Sequence, residues 1–351
     1  MRTDLLGWDT LTPHGGDRAG VMRLIFLGTP AFGVPSLRRL VEVGHEVAGV
    51  VTQPDRPAGR GKRLRKSAVK QVAEEACIPV IQPVKIQEPG VVGHLRELKP
   101  EVLVVVAFGQ ILPRSILEIP SKGSIDLHAS LLPKYRGPAP IPWTLIQGET
   151  VTGVTIMEVV EAVDAGPILL QRMTPIAVED DAGTLHDRLA ALGAEALVEA
   201  LGALERGEVT KAPQNEAEAT YAPKLPADLG CLEWSRGARD LWNLVRGLAP
   251  QPGTYTFFRG LLIRVLAARP LPGHPGQVPG TIVGFRKGAG VQVATGDGVL
   301  LLTTLQPEAK RVMTAEEFAR GYRAEVGSAF ASTREQSTKS RPGDSRPGRA
   351  G

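Results

Sequence analysis

One of the six histidines in this 351-residue chain, His128, sits among residues whose types and spacing suit proton chemistry. It closes the apolar run Gly123-Ser-Ile-Asp-Leu127, precedes the turn Leu131-Leu-Pro133, and is followed 36 residues later by Asp164-Ala-Gly166. Imidazole changes charge near neutral pH, and a carboxylate beside it orients the ring and favours its charged form. Such a pair can move a proton or steady a developing negative charge. The plain alternative is a core histidine satisfied by a backbone carbonyl. Against it, Asp164 follows a second β-like run, Val154 to Val160, and Gly166 leaves the backbone free just beyond. Pro133, Gly137, Pro138 and Pro140 also stiffen the loop that would carry the site.

The elements around these residues follow an α/β rhythm. Apolar strands at Arg23–Gly28, Glu46–Thr52, Pro79–Ile81, Val102–Val106 and Gly123–Leu127 alternate with helices whose apolar positions recur at helical spacing, such as Val34, Leu37, Leu40 and Val41. This predicts a Rossmann-like, doubly wound, mostly parallel sheet, with Gly153–Val159 and Ile168–Ile176 as a closing pair. A long amphipathic helix over Thr184–Leu204 covers one face. His128 then emerges at a strand end, where open α/β sheets bind ligands. The first turn, Gly28-Thr-Pro-Ala-Phe-Gly33, lacks the GxGxxG spacing, and Pro30 removes an amide that a pyrophosphate would use. No dinucleotide is expected there.

At this length two domains are expected. The catalytic unit is placed at 22–205 and a linker rich in Glu, Ala, Pro and Lys at 206–230. Beyond it the pattern changes to one helix, Gly237–Leu248, and five short strands with Gly turns, which predicts a smaller OB-like β-barrel over 231–330. Residues 1–21 read as a disordered extension without a signal-peptide core, with Met22 a plausible start, and residues 331–351 as a disordered tail. No apolar run is long enough to span a membrane. Cys77 and Cys231 lack metal or disulfide spacing, which suits a reducing, cytoplasmic setting. Net charge is +4, but residues 22–230 carry 22 basic and 25 acidic side chains while 231–330 carry 12 and 7. A basic second domain behind a mildly acidic first one suits a polyanionic partner.

Between Thr52 and Ser67 lies a connection far longer than the ~2–6 residues usual for a βα loop. From Asp55 to Lys70 it holds seven basic residues against one acidic. Gly59 and Gly61 flank Arg60. A cationic loop beside a catalytic mouth suits phosphates, which arginine binds bidentately.

Taken together, Ser124-Ile-Asp-Leu-His-Ala-Ser-Leu-Leu-Pro-Lys-Tyr-Arg-Gly-Pro-Ala-Pro140 and Asp164-Ala-Gly166 resemble the active-site signature of the folate-dependent formyltransferases, Asn-x-His-x-Ser-Leu-Leu-Pro with a later Asp-x-Gly. The loop Gln53-Pro-Asp-Arg-Pro-Ala-Gly-Arg-Gly-Lys62 resembles that of the branch acting on charged initiator tRNA. Weaker similarity continues into the second domain, at Gln292–Gly298 and Leu305–Pro307. The resemblance implies a monomeric enzyme that takes the formyl group of 10-formyltetrahydrofolate, needs no metal, and passes the group to the α-amine of methionyl initiator tRNA. It implies Asp126, His128 and Asp164 as the catalytic trio. Phe108, Gly109, Ile111, Leu112, Ser130, Leu131, Leu132, Pro133 and Val163 are implied as folate contacts, with Phe108 and Leu112 equally readable as core. Arg56, Arg60, Lys62 and Arg63 are implied as tRNA contacts. The sequence departs from the pattern at Asp126, where the family has asparagine, at Pro142, where glutamine is usual, and at Ala249–Pro252. An ionised aspartate only accepts hydrogen bonds, whereas asparagine donates. Two other readings therefore stay open. One is a formyltransferase for a small nucleotide-linked amine, and the other an RNA-binding pseudoenzyme disabled at Asp126.

Overall fold

The computed structural model describes residues 20–58, 63–273 and 276–339. Its first domain is a seven-stranded sheet. In chain order its elements are β1 (Arg23–Gly28), α1 (Val34–Glu42), β2 (Glu46–Val51), the hairpin β3 (Arg56–Ala58) and β4 (Arg63–Arg65), α2 (Ala68–Glu75), β5 (Val80–Ile81), α3 (Pro89–Glu97), β6 (Val102–Val106), α4 (Arg114–Leu117), β7 (Ser124–His128), α5 (Pro140–Ile146), β8 (Val151–Glu158), β9 (Ile168–Pro175) and α6 (Ala182–Arg206). The sheet order is β5-β2-β1-β6-β7-β8-β9. Strands β5 to β7 along this order run parallel, and β8 and β9 are antiparallel, as a doubly wound sheet with a closing pair requires.

Strand composition explains the layers. All five residues of β6, Val-Leu-Val-Val-Val, are buried, because a parallel strand is covered on both faces. Alternate side chains feed two cores. Leu24, Phe26, Val102 and Val104 pack with α1, α2 and α6, while Ile25, Leu27, Leu103 and Val105 pack with α3 and α4. The long helix α6 is fixed at its start by Asp181, which accepts from the Thr184 amide, and stops at Gly207 in the left-handed region, φ 69°.

The second domain begins with α7 (Ala238–Leu248), followed by β10 (Thr254–Phe258), β11 (Leu261–Leu271), β12 (Ile282–Arg286), β13 (Gly290–Ala294), β14 (Val299–Pro307), β15 (Met313–Thr314), α8 (Ala315–Gly321), β16 (Phe330–Ala331) and α9 (Arg334–Lys339). The strands are antiparallel in the order β12-β13-β14-β11-β10-β16. The sheet curls until its ends meet: Phe330 donates to the Gly280 carbonyl and Ile282 to that of Ser328. Leu241, Leu244, Val245 and Leu248 of α7 and Phe318 of α8 fill the interior. The expected small barrel is present, with α8 an element that sequence periodicity did not indicate.

Three expectations change. The basic connection is not a plain loop, since its flanks pair as a ribbon with Arg56 opposite Arg65. The stretch 206–230 is strapped along the first domain by backbone bonds at Arg136, Ala139, Ile168 and Ala212. The tail expected to be disordered from 331 instead starts in structure: Ala331 pairs with Phe257, and α9 places Ser337 to accept from the Gly260 amide. The remainder, 340–351, and residues 1–19 of the expected extension, 1–21, lie outside the described residues.

Candidate active site

β7 delivers both Asp126 and His128, because residues two apart on a strand project from the same face. His128 is its last residue and is buried. Its Nε2 donates to the Tyr135 carbonyl at 2.9 Å, which fixes the tautomer, since a carbonyl only accepts. Tyr135 can present that carbonyl because its backbone is left-handed, φ 62°. The other ring nitrogen, Nδ1, faces Asp164 Oδ2 at 3.6 Å, too long for a direct hydrogen bond. One ligating atom from each of Asp126, His128 and Asp164 lies within 4.8 Å of the other two.

Asp164 comes from the turn between β8 and β9 and is itself left-handed, φ 51°. Its Oδ2 accepts from the Gly137 amide at 2.7 Å. Gly137 is required there: φ is 118°, and a Cβ would lie 2.7 Å from the Ala222 carbonyl oxygen. Gly166 serves by close approach rather than by backbone freedom, since a Cβ would collide with the Glu158 carbonyl. Burial, and after it the Asp164 carboxylate, push the Asp126 carboxyl well above the usual carboxylate range.

Asp126 and Asp164 open into a cleft of about 140 Å³ walled by Val105, Gln110, Ile111, Leu112, Met157 and Val159–Val163. That is below the ~300–1,000 Å³ typical of closed ligand cavities, so it takes a ring-sized head and leaves a longer molecule across the surface. Ile111 and Val163 are exposed at its rim. A larger hollow of about 450 Å³ in the barrel is lined by Gly273, Gln277, Thr281, Ile282, Val299 and Val326 among others, with no ionisable side chain among its described lining residues.

Residues 22–201 match the family model for formyl transferase, and residues 224–323 that for the formyl transferase C-terminal domain. The methionyl-tRNA formyltransferase of Citrifermentans bemidjiense is 45% identical over 306 residues, covering 87% of this chain and 95% of that protein. That of Geobacter sulfurreducens is 45% identical over 309 residues, covering 87% and 96%. The chain belongs to the methionyl-tRNA formyltransferase family. Among solved structures, HypX from Aquifex aeolicus in complex with tetrahydrofolic acid has a TM-score of 0.59 at 20% identity, over 88% of this chain and 48% of that one. The N-formyltransferase from Helicobacter canadensis, in complex with folinic acid and dTDP-3-aminofucose, has a TM-score of 0.60 at 16% identity, over 81% and 99%. These two share the fold.

In this formyltransferase the residues expected to meet the folate divide into two groups. Ile111, Leu112 and Val163 line the cleft, and Gly109, φ 85°, stands in open space beside it. Phe108 belongs to the core beneath, contributing only a carbonyl that accepts from Thr29 Oγ1 at 3.1 Å. Ser130 to Pro133 are not among the cleft-lining residues. Ser130 donates to the Lys134 carbonyl, and Thr155 and Gln171 hold the Leu132 backbone, so this turn props the loop behind His128.

The ribbon of β3 and β4 is rooted by a polar cluster. Lys70 Nζ meets Asp55 and Gln82 at 2.7 Å each, and Gln82 donates to Asp55 and to the Gln53 carbonyl. The one acidic residue of the basic run is thereby consumed in the stem, held below the usual carboxylate range chiefly by the Lys70 hydrogen bond. Arg56 is exposed on the ribbon and Arg63 begins its second strand, while Arg60 and Lys62 lie outside the described residues. Sequence reasoning missed Gln214, which carries no motif and sits in a stretch without periodicity, and gave Arg136 no task. Gln214 donates to the Asp164 carbonyl, and Arg136 donates to Gln214.

Proposed function

We propose that the chain transfers the formyl group of 10-formyltetrahydrofolate to the α-amine of methionyl initiator tRNA, with His128 and Asp164 as its central pair. The observation that carries this reading is the convergence of Asp126, His128 and Asp164 within 4.8 Å, with the two carboxylates lining the cleft and His128 Nδ1 3.6 Å from Asp164 Oδ2. The cleft fits a flat pterin head: most of its walls are aliphatic, and Gln110, Glu158 and Glu161 supply polar groups. Ile111, Leu112 and Val163 would hold that head, with Ser130 to Pro133 shaping the loop around it.

Transfer forms a bond from the amine nitrogen to the formyl carbon and breaks the bond from that carbon to N10. The proton lost by the amine ends on N10, and nothing is oxidised or reduced. The oxygen of the tetrahedral intermediate needs donors. His128 can donate from Nδ1 when protonated, and Asp126 can donate as a neutral acid, which its burial favours. Asp164 keeps one carboxylate oxygen clear of the Gly137 amide and can accept the amine proton, directly or through a water, and return it to N10. Arg56 and Arg63 on the basic ribbon, and Arg60 and Lys62 between them in the sequence, suit the phosphates of the acceptor end, a role that a small amine acceptor would not use.

A single-turnover assay with charged initiator tRNA and 10-formyltetrahydrofolate tests the reading. Formylmethionyl-tRNA should appear, and His128→Ala or Asp164→Ala should each slow it by about 100-fold or more. Product formed only with an amino-sugar nucleotide, or tRNA bound without product, would refute it.

A further inference from the structure

The left-handed backbone of Asp164 is held by a residue from the interdomain strap. Gln214 Nε2 donates to the carbonyl oxygens of Asp164 and Gly166, both at 2.8 Å. Its Oε1 accepts from Arg136 Nε at 3.1 Å and Nη2 at 2.8 Å. The amide orientation is dictated by chemistry, since a guanidinium only donates and backbone carbonyls only accept. Arg136 is itself buried and is pinned by both carboxylate oxygens of Glu216 at 2.8 Å. Aspartate enters this region more readily than most residues, but the conformation is uncommon and is held where surrounding bonds favour it.

We propose that Gln214 is a positioning residue for formyl transfer: it clamps the turn that carries Asp164 and thereby sets that carboxylate against His128. The clamp rests on the reaction proposed above. Its contacts on the cleft wall are the backbone carbonyls of Asp164 and Gly166 and, at 3.9 Å, the Met157 sulfur, so it acts through the turn and not on the Asp164 carboxylate itself. Because it lies on the strap leading into the barrel, the geometry of Asp164 depends on how that strap is seated.

The test compares Gln214→Ala with Gln214→Glu in the full chain. The glutamate keeps an acceptor for Arg136, so a merely structural strap would tolerate it, yet it turns an oxygen toward two carbonyl oxygens and cannot clamp. Both variants should lose about 10- to 100-fold in kcat, the scale of a misplaced catalytic group, with KM for charged tRNA within about twofold of the parent. Hydrogen exchange across residues 160–166 should speed up in both. Full kcat in Gln214→Glu, or exchange at 160–166 unchanged in both variants, overturns the clamp. The exchange arm needs no substrate, so it decides the clamp even if the parent forms no formylmethionyl-tRNA.

Discussion

At Asp126 a single atom separates this chain from the family pattern, because an asparagine amide donates to the developing oxyanion and an ionised carboxylate repels it. The burial that raises its pKa gives the aspartate a way to serve, since the neutral acid is also a donor. Wild-type activity should therefore decline as pH rises through the raised value of Asp126, and Asp126→Asn should lack that limb and form product faster above it. A single-turnover pH profile the same in parent and Asp126→Asn across the whole range would show that position 126 takes no part. Stability follows the same linkage. The folded state holds this proton more tightly than the unfolded chain, so the contribution is complete below the unfolded pKa of about 3.9 and is lost as pH rises through the folded value. Asp126→Asn should accordingly melt higher than the parent at pH 7 to 8, by about 2–4 °C per kcal/mol, with the difference closing near pH 4. The types and spacing of Asp126, His128 and Asp164 were readable from the sequence. The Tyr135 carbonyl that fixes the histidine tautomer was not, because it depends on a left-handed residue whose side chain gives no hint of it.

Among the elements, β7 is positioned from behind by α6. A Cβ at Gly193 would lie 2.7 Å from a Leu127 methyl, so the helix packs on the strand that ends in His128 only because that position is bare. Gly193→Val should cost about 1–3 kcal/mol in urea unfolding, with the m-value unchanged. The basic ribbon makes a separate prediction. Replacing residues 58–63 by an Asn-Gly turn leaves the root at Asp55, Lys70 and Gln82 intact and removes Arg60, Lys62 and Arg63. KM for charged tRNA should rise about tenfold or more while the melting temperature stays put; an unchanged KM would remove the ribbon from substrate binding. The ribbon's charge and excess length stood out in the sequence, but its pairing did not, because Arg56-Pro-Ala and Arg63-Leu-Arg carry no apolar alternation.

For the whole molecule, charge is divided between the domains, and the proposed acceptor is a polyanion. KM for charged tRNA should rise steeply with salt, and Arg60→Ala should flatten the log–log slope by about one if that side chain meets a phosphate. A slope unaltered by the substitution would place Arg60 away from the acceptor. The two domains also meet closely: Gly247 of α7 sits where a Cβ would lie 2.7 Å from Ile146 of α5, and Gly183 at the start of α6 abuts Pro250. The barrel is thus held against the sheet by contact as well as by the strap.

Sequence alone determined the main-sheet strands, the long helix, the change of pattern near residue 230 and the candidate pair His128 and Asp164, to which the family resemblance added Asp126. Those features are written locally, in apolar periodicity and in residue chemistry within a short window. Only the tertiary structure decided that Phe108 is core while Ile111 and Val163 face the cleft, and that Gln214, 50 residues beyond Asp164, holds the turn bearing it. Such pairings are made by backbone atoms and by side chains with no motif of their own, so they exist only once distant segments are brought together.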